Sequence, residues 1–81
     1  MAKPFPQYNE HPELLAFGRA VRKMRLERGL SQEVLATDAG IDRSYMGGVE
    51  RGEHNLALLN QLKIAKALGL RLSDIMKIAR L

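Results

Sequence analysis

The chain has 81 residues, 13 Lys and Arg against 9 Asp and Glu for a net charge of +4, 46% hydrophobic residues and no cysteine. That length holds one domain, since ordinary domains run to about 100–150 residues, and the missing cysteine excludes a disulfide scaffold and a thiolate metal site, so a small core needs close helix packing or a partner subunit. No apolar run approaches the roughly 18 residues of a membrane span, and the start Met1-Ala2-Lys3-Pro4 lacks the apolar stretch of a secretory signal, so a cytoplasmic protein with no membrane partner is expected.

Residues 1–12 carry Pro4, Pro6 and Pro12 and no helical period, and read as an extended N-terminal arm; residues 13–81 read as the folded domain. From Leu14 onward Leu14, Phe17, Val21 and Met24 recur at intervals of three and four, which predicts a first amphipathic helix over 13–28, closed by Gly29, with Arg19, Arg22 and Lys23 on its outer side. Ser31 is placed to cap a second helix over 32–39, although Val34 stands where a full capping box needs Glu or Gln. Gly40 ends it, and after Ile41 the Asp42 carboxylate can accept from the first free amides of a third helix over 43–51, ended by Gly52. A fourth helix is predicted over 58–68 on Leu58, Leu59, Leu62, Ala65 and Leu68, with Lys63 and Lys66 outward, and Ser73 is expected to cap a short fifth. No segment alternates as a half-buried strand does, so the fold class is all-α, a five-helix bundle.

Two short helices joined by a glycine-containing turn match the helix-turn-helix, whose second helix enters the DNA major groove. Ala36 and Ala39 let the pair approach closely, Ile41, Met46 and Val49 face the core, and Arg43, Ser44, Gly47, Gly48 and Arg51 share the opposite side. Arg43 can reach O6 and N7 of guanine in a bidentate contact, and Ser44 can donate to or accept from either base type. Adjacent Gly47 and Gly48 cost about 1 kcal/mol each relative to alanine inside a helix. Their absent side chains either let the backbone sit deep in a groove, with Gly48 at the base-reading surface, or reflect a loosened helix end or tight packing on the first helix. Arg25 lies four residues after Val21 and Glu50 four after Met46, each beside its helix's apolar stripe, which predicts an ion pair joining helices one and three.

Phe17-Gly18, Arg25, Gly29-Leu30-Ser31-Gln32, Leu35-Ala36, Ala39-Gly40-Ile41 and Glu50-Arg51-Gly52, followed by Leu62, Ile64-Ala65 and Ala67-Leu68-Gly69, resemble the Cro and lambda-repressor (XRE-type) family of helix-turn-helix regulators over residues 14–78. Asp42-Arg43-Ser44-Tyr45 with Gly48, Glu50-Arg51 and Asn55-Leu56 is similar to the controller proteins of restriction-modification systems. The resemblance implies a homodimer on a two-fold operator in double-stranded DNA, Gln32 and Arg51 at phosphates, Tyr45 at bases or flanking phosphates, and His54 and Asn55 at the backbone or an extra base. At Ala57 relatives carry a capping Ser or Thr, which leaves Asn55 as the substitute cap or the fourth helix frayed, and at Gly48 several relatives present a longer base-reading side chain.

The surplus of apolar residues in the last two helices, with Leu59, Leu72, Ile75, Met76 and Ile78 as the expected contacts, predicts a dimer interface, the alternative being that Ile75, Met76 and Ile78 cap the monomer's own core. Isolated His11 and His54 and the absence of phosphate-binding or zinc motifs exclude the common enzyme classes; no metal, cofactor or small-molecule ligand is expected. The alternative is an antitoxin-type module that uses this fold to neutralise a protein partner.

Overall fold

A computed structural model describes residues 11–81, so the expected N-terminal arm lies, except for His11 and Pro12, outside the described residues. Among them the chain forms five helices and no strand: α1 Pro12–Glu27, α2 Gln32–Ala39, α3 Arg43–Glu50, α4 Leu58–Ala67 and α5 Leu72–Ala79. Pro12 opens α1 instead of ending the arm, because a proline at the first helical position forfeits an amide that would have no intrahelical partner. None of the helices is long and apolar enough to cross a membrane.

The caps of the helix-turn-helix are those its sequence encodes. Ser31 Oγ accepts from the Val34 amide at 3.0 Å, Gly40 turns left-handed at φ 69°, and Asp42 Oδ2 accepts from the Ser44 amide at 3.1 Å. Ser73 does not cap α5. The helix starts earlier, with Arg71 at its N-cap, because the Asp74 carboxylate reaches back to accept the Arg71 amide at 2.9 Å and so closes the first turn. Asn55 does not cap α4 either, and Ala57 occupies that N-cap without a side-chain hydrogen bond.

The core is one cluster drawn from every helix, with Val21, Leu35, Met46, Ile64 and Ile75 at 0% exposure. On α4 the buried line is Ile64, Ala65 and Leu68, while Leu58, Leu59 and Leu62 are exposed. The period of α4 thus splits into a buried part, which packs with α2, and N-terminal leucines that stay at the surface.

Arg25 and Gly18 fix α3 against α1. The Arg25 guanidinium, buried, donates from Nε to Glu50 Oε2 at 2.7 Å and from Nη2 to Oε1 at 3.0 Å, and its Nη1 donates to the Leu30 carbonyl at 2.8 Å. One side chain therefore ties the end of α1 to the following turn and to α3. Gly18 lets the two helices touch by backbone: a Cβ there would sit 2.7 Å from the Glu50 carbonyl oxygen. Arg28 adds a tie to the far side, donating to the Leu68 carbonyl at 2.7 Å.

Candidate nucleic-acid interface

With Met46, Val49 and Glu50 anchored in the interior, the first turn of α3 is left at the surface. Arg43 is exposed there and has no ion-pair partner among the described residues, so its guanidinium fork is free for a ligand. The Ser44 hydroxyl donates to Asp42 Oδ2, the same oxygen that accepts the Ser44 amide. That hydroxyl bond is the main reason the Asp42 carboxyl lies below the usual carboxylate range. Ser44 thus keeps its oxygen as an acceptor while its proton is committed to the cap.

Farther along α3 the arrangement departs from the sequence expectation. Gly47 and Gly48 are both buried. The Tyr45 and His54 rings stack with centroids 4.4 Å apart at 17°, and the imidazole lies on Gly48, so that a Cβ there would fall 2.6 Å from His54 Cδ2. Gly48 is therefore not an open base-reading position. Left-handed Gly52, at φ 74°, turns the chain after α3 back on itself, the Glu53 amide donates to the Gly48 carbonyl at 2.9 Å, and His54 is delivered over the helix as a roof. Tyr45 is also held from the other side, its hydroxyl accepting from Asn60 Nδ2 at 3.3 Å.

Gly47 clears a floor of a different kind. Arg51 Nη1 and Gln32 Oε1 would lie 3.1 and 3.4 Å from a Cβ at that position, so two side chains from different helices converge above it. Gln32 is half-buried and donates from Nε2 to Glu50 Oε1 at 3.0 Å, which adds a third helix to the Arg25–Glu50 pair. Arg51 is exposed and forms a fork with Glu53, 2.6 Å from Nε to Oε2 and 3.2 Å from Nη2 to Oε1. The hydrogen bond between them raises the Arg51 pKa and lowers that of Glu53. Sequence reasoning did not single out Glu53; the i, i+2 spacing across a tight turn was its signal. Asn55 is exposed beside this loop.

The apolar residues expected at a dimer interface divide into two groups. Leu59 is 70% exposed and Ile78 36%, and Leu72 and Met76 are half-buried against the core. Ile75, at 0% exposure, belongs to the protomer's own interior and is not an interface residue. α5 packs on both α1 and α4, and the position facing that junction is enclosed before any partner arrives. Leu58, Leu62 and Leu81, at 61%, 43% and 53% exposure, extend the exposed apolar set on these helices and the chain end.

The sequence profile of the helix-turn-helix family matches residues 21–75. Control protein C.BamHI of Bacillus amyloliquefaciens is 43% identical over 63 residues, 76% of this chain and 78% of that protein. Control protein C.MunI of a Mycoplasma species is 39% identical over 62 residues, 75% of this chain and 84% of the relative. Among solved structures, the restriction-modification controller protein C.AhdI from Aeromonas hydrophila superposes with a TM-score of 0.79 at 48% identity, over 80% of this chain and 98% of that one.

Proposed function

Because the chain belongs to the helix-turn-helix family and is a DNA-binding transcriptional regulator, we propose that it is the controller of a restriction-modification operon, acting in the cytoplasm as a homodimer on a two-fold operator. The observation that carries the reading is the opening turn of α3. Arg43 stands exposed and unpaired at the surface while Met46, Val49 and Glu50 root the same helix in the core, so the side chain suited to a guanine edge sits on a rigid support. Ser44 beside it offers an acceptor.

The exposed leucines of α4 with Ile78 and Leu81 support the dimer, since apolar groups of this number in so small a chain are normally covered by a partner. A two-fold pair presents its reading helices to half-sites about 34–36 Å apart. Selection of binding duplexes from a random pool tests the whole reading. The expected product is a sequence with two inverted half-sites one helical turn apart, present upstream of the protein's own operon beside methyltransferase and endonuclease genes. Enrichment of no sequence, or of an unpaired half-site alone, would overturn it.

A further inference from the structure

A cleft between α1 and the helix-turn-helix is lined by Leu15, Arg19, Arg22, Gln32, Glu50 and Arg51. Three of these side chains are guanidiniums. The carboxylate among them, Glu50, is already matched by both forks of Arg25 and by Gln32, so it does not cancel the positive charge of the rim. Arg51 shares its Nε and Nη2 with Glu53 but extends Nη1 over Gly47 toward Gln32. Arg19 and Arg22 are exposed and have no carboxylate partner among the described residues.

Resting on the reading of the protein as a DNA binder, we infer that this cleft clamps one backbone phosphate of the duplex, with Arg22 and Arg19 of α1 as the jaw opposite Arg51 and Gln32. The occupant is a phosphodiester. Guanidiniums on two sides match its paired oxygens, the polar amide of Gln32 closes the back, and Gly47 keeps the floor clear of a side chain. The helix that carries the buried Arg25 would thus also set the register of α3 on the duplex, through side chains within two turns of that anchor.

Neighbouring Lys23 supplies the control. It is exposed and on the same helix, but it lines only a second cleft, on the α5 side with Ile78, Ala79 and Arg80. Arg19 borders both clefts, so R22Q alone, at a residue confined to the first, accompanies the double variant and should lower the slope by itself. The experiment measures affinity for a random-sequence duplex of about 30 base pairs, roughly three helical turns, as a function of chloride concentration. For R19Q/R22Q the slope of log affinity against log salt should fall by about one unit per arginine lost, while K23Q should leave it within a fraction of a unit. Inorganic phosphate added at constant ionic strength should not displace the duplex. An unchanged slope in R19Q/R22Q with binding by the parent chain intact would overturn the clamp alone, as would equal losses in R19Q/R22Q and K23Q. Displacement by inorganic phosphate that disappears in R19Q/R22Q would make the cleft a free-anion site and overturn the phosphodiester assignment. A parent chain that binds no duplex would overturn the DNA-binding reading and the clamp with it.

Discussion

Arg25 and Glu50, separated by 25 positions in the chain, meet in a two-pronged ion pair whose side chains are 9% and 2% exposed. The Glu50 hydrogen bond raises the Arg25 pKa, in keeping with a guanidinium whose charge is matched where solvent is scarce. R25M leaves the Glu50 carboxylate buried against Gln32 alone, and E50Q leaves a buried guanidinium with a neutral acceptor. The expected cost is about 3–5 kcal/mol for R25M, with the R25M/E50Q double variant losing less than the sum. Denaturant titration of the four proteins measures the coupling; zero coupling contradicts the pair.

Three glycines should answer differently to alanine. G18A drives a Cβ into the backbone of α3, 2.7 Å from the Glu50 carbonyl oxygen, and should cost about 1–3 kcal/mol or more despite alanine's better helix propensity. G47A meets only the movable ends of Arg51 and Gln32 and should be neutral or stabilising by up to about 1 kcal/mol. G48A must evict His54 from its stack on Tyr45, which ring-proton NMR shifts of the imidazole would report. Equal melting shifts for all three would contradict the packing described.

R43A should remove discrimination at one base pair per half-site, about 1–3 kcal/mol, and change affinity for random DNA less. R51A should weaken all sequences alike and lower the salt slope by about one unit. Q32A leaves the slope nearly intact but also removes a hydrogen bond to Glu50, so its melting temperature should fall while that of R43A does not. Equal loss on operator and random duplex in R43A would reassign Arg43 to a phosphate.

L59E and I75E separate assembly from folding. Leu59 is 70% exposed, so a charge there should produce monomers of full helix content with tight operator binding lost. Ile75 is wholly enclosed, and I75E should unfold the protomer. Sedimentation together with circular dichroism reads both, and a parent chain that stays monomeric at micromolar concentration would remove the dimer from the proposal.

The cap of α3 has an acid limit. The folded-state pKa of Asp42 is depressed, chiefly by the Ser44 hydroxyl, so its contribution to stability is present in full above the unfolded carboxyl value of about 3.9 and is lost as pH falls through the lower folded value. The stability difference between the parent and D42N should therefore be constant near neutrality and change only in that acid window. Glu53, depressed by Arg51, adds a parallel loss that D42N leaves in place. A difference that does not vary with pH would show that the carboxylate plays no part in the cap.

The five helices and the capping roles of Ser31 and Asp42 were legible in the sequence because each depends on neighbours within one turn. The Arg25–Glu50 contact was legible because two charges beside two apolar stripes have few places to go. What the sequence did not disclose depends on chain segments returning from elsewhere. Nothing in Gly48 itself announces that the loop after Gly52 folds His54 onto it. The apolar period of α4 and α5 reveals stripes but not which stripe finds a neighbour, so Ile75 reads as an interface residue although the protomer encloses it. The glycine of the Phe17-Gly18 pair is where α1 and α3 approach by backbone, a contact that only the packed partner reveals.

The roof that His54 places on Gly48 leaves α3 only its opening turn with which to inspect a duplex. Few contacts carry little information, and a short word recurs by chance throughout a genome offering about 10⁶–10⁹ competing positions. A single copy so equipped would spend its time on accidental matches. In the paired reading, the address is instead spelled by how many copies sit down together, which makes choice of site a function of abundance. If the chain pairs as proposed, occupancy of the operator would rise steeply with its concentration, a threshold built from the modest vocabulary of one helical turn.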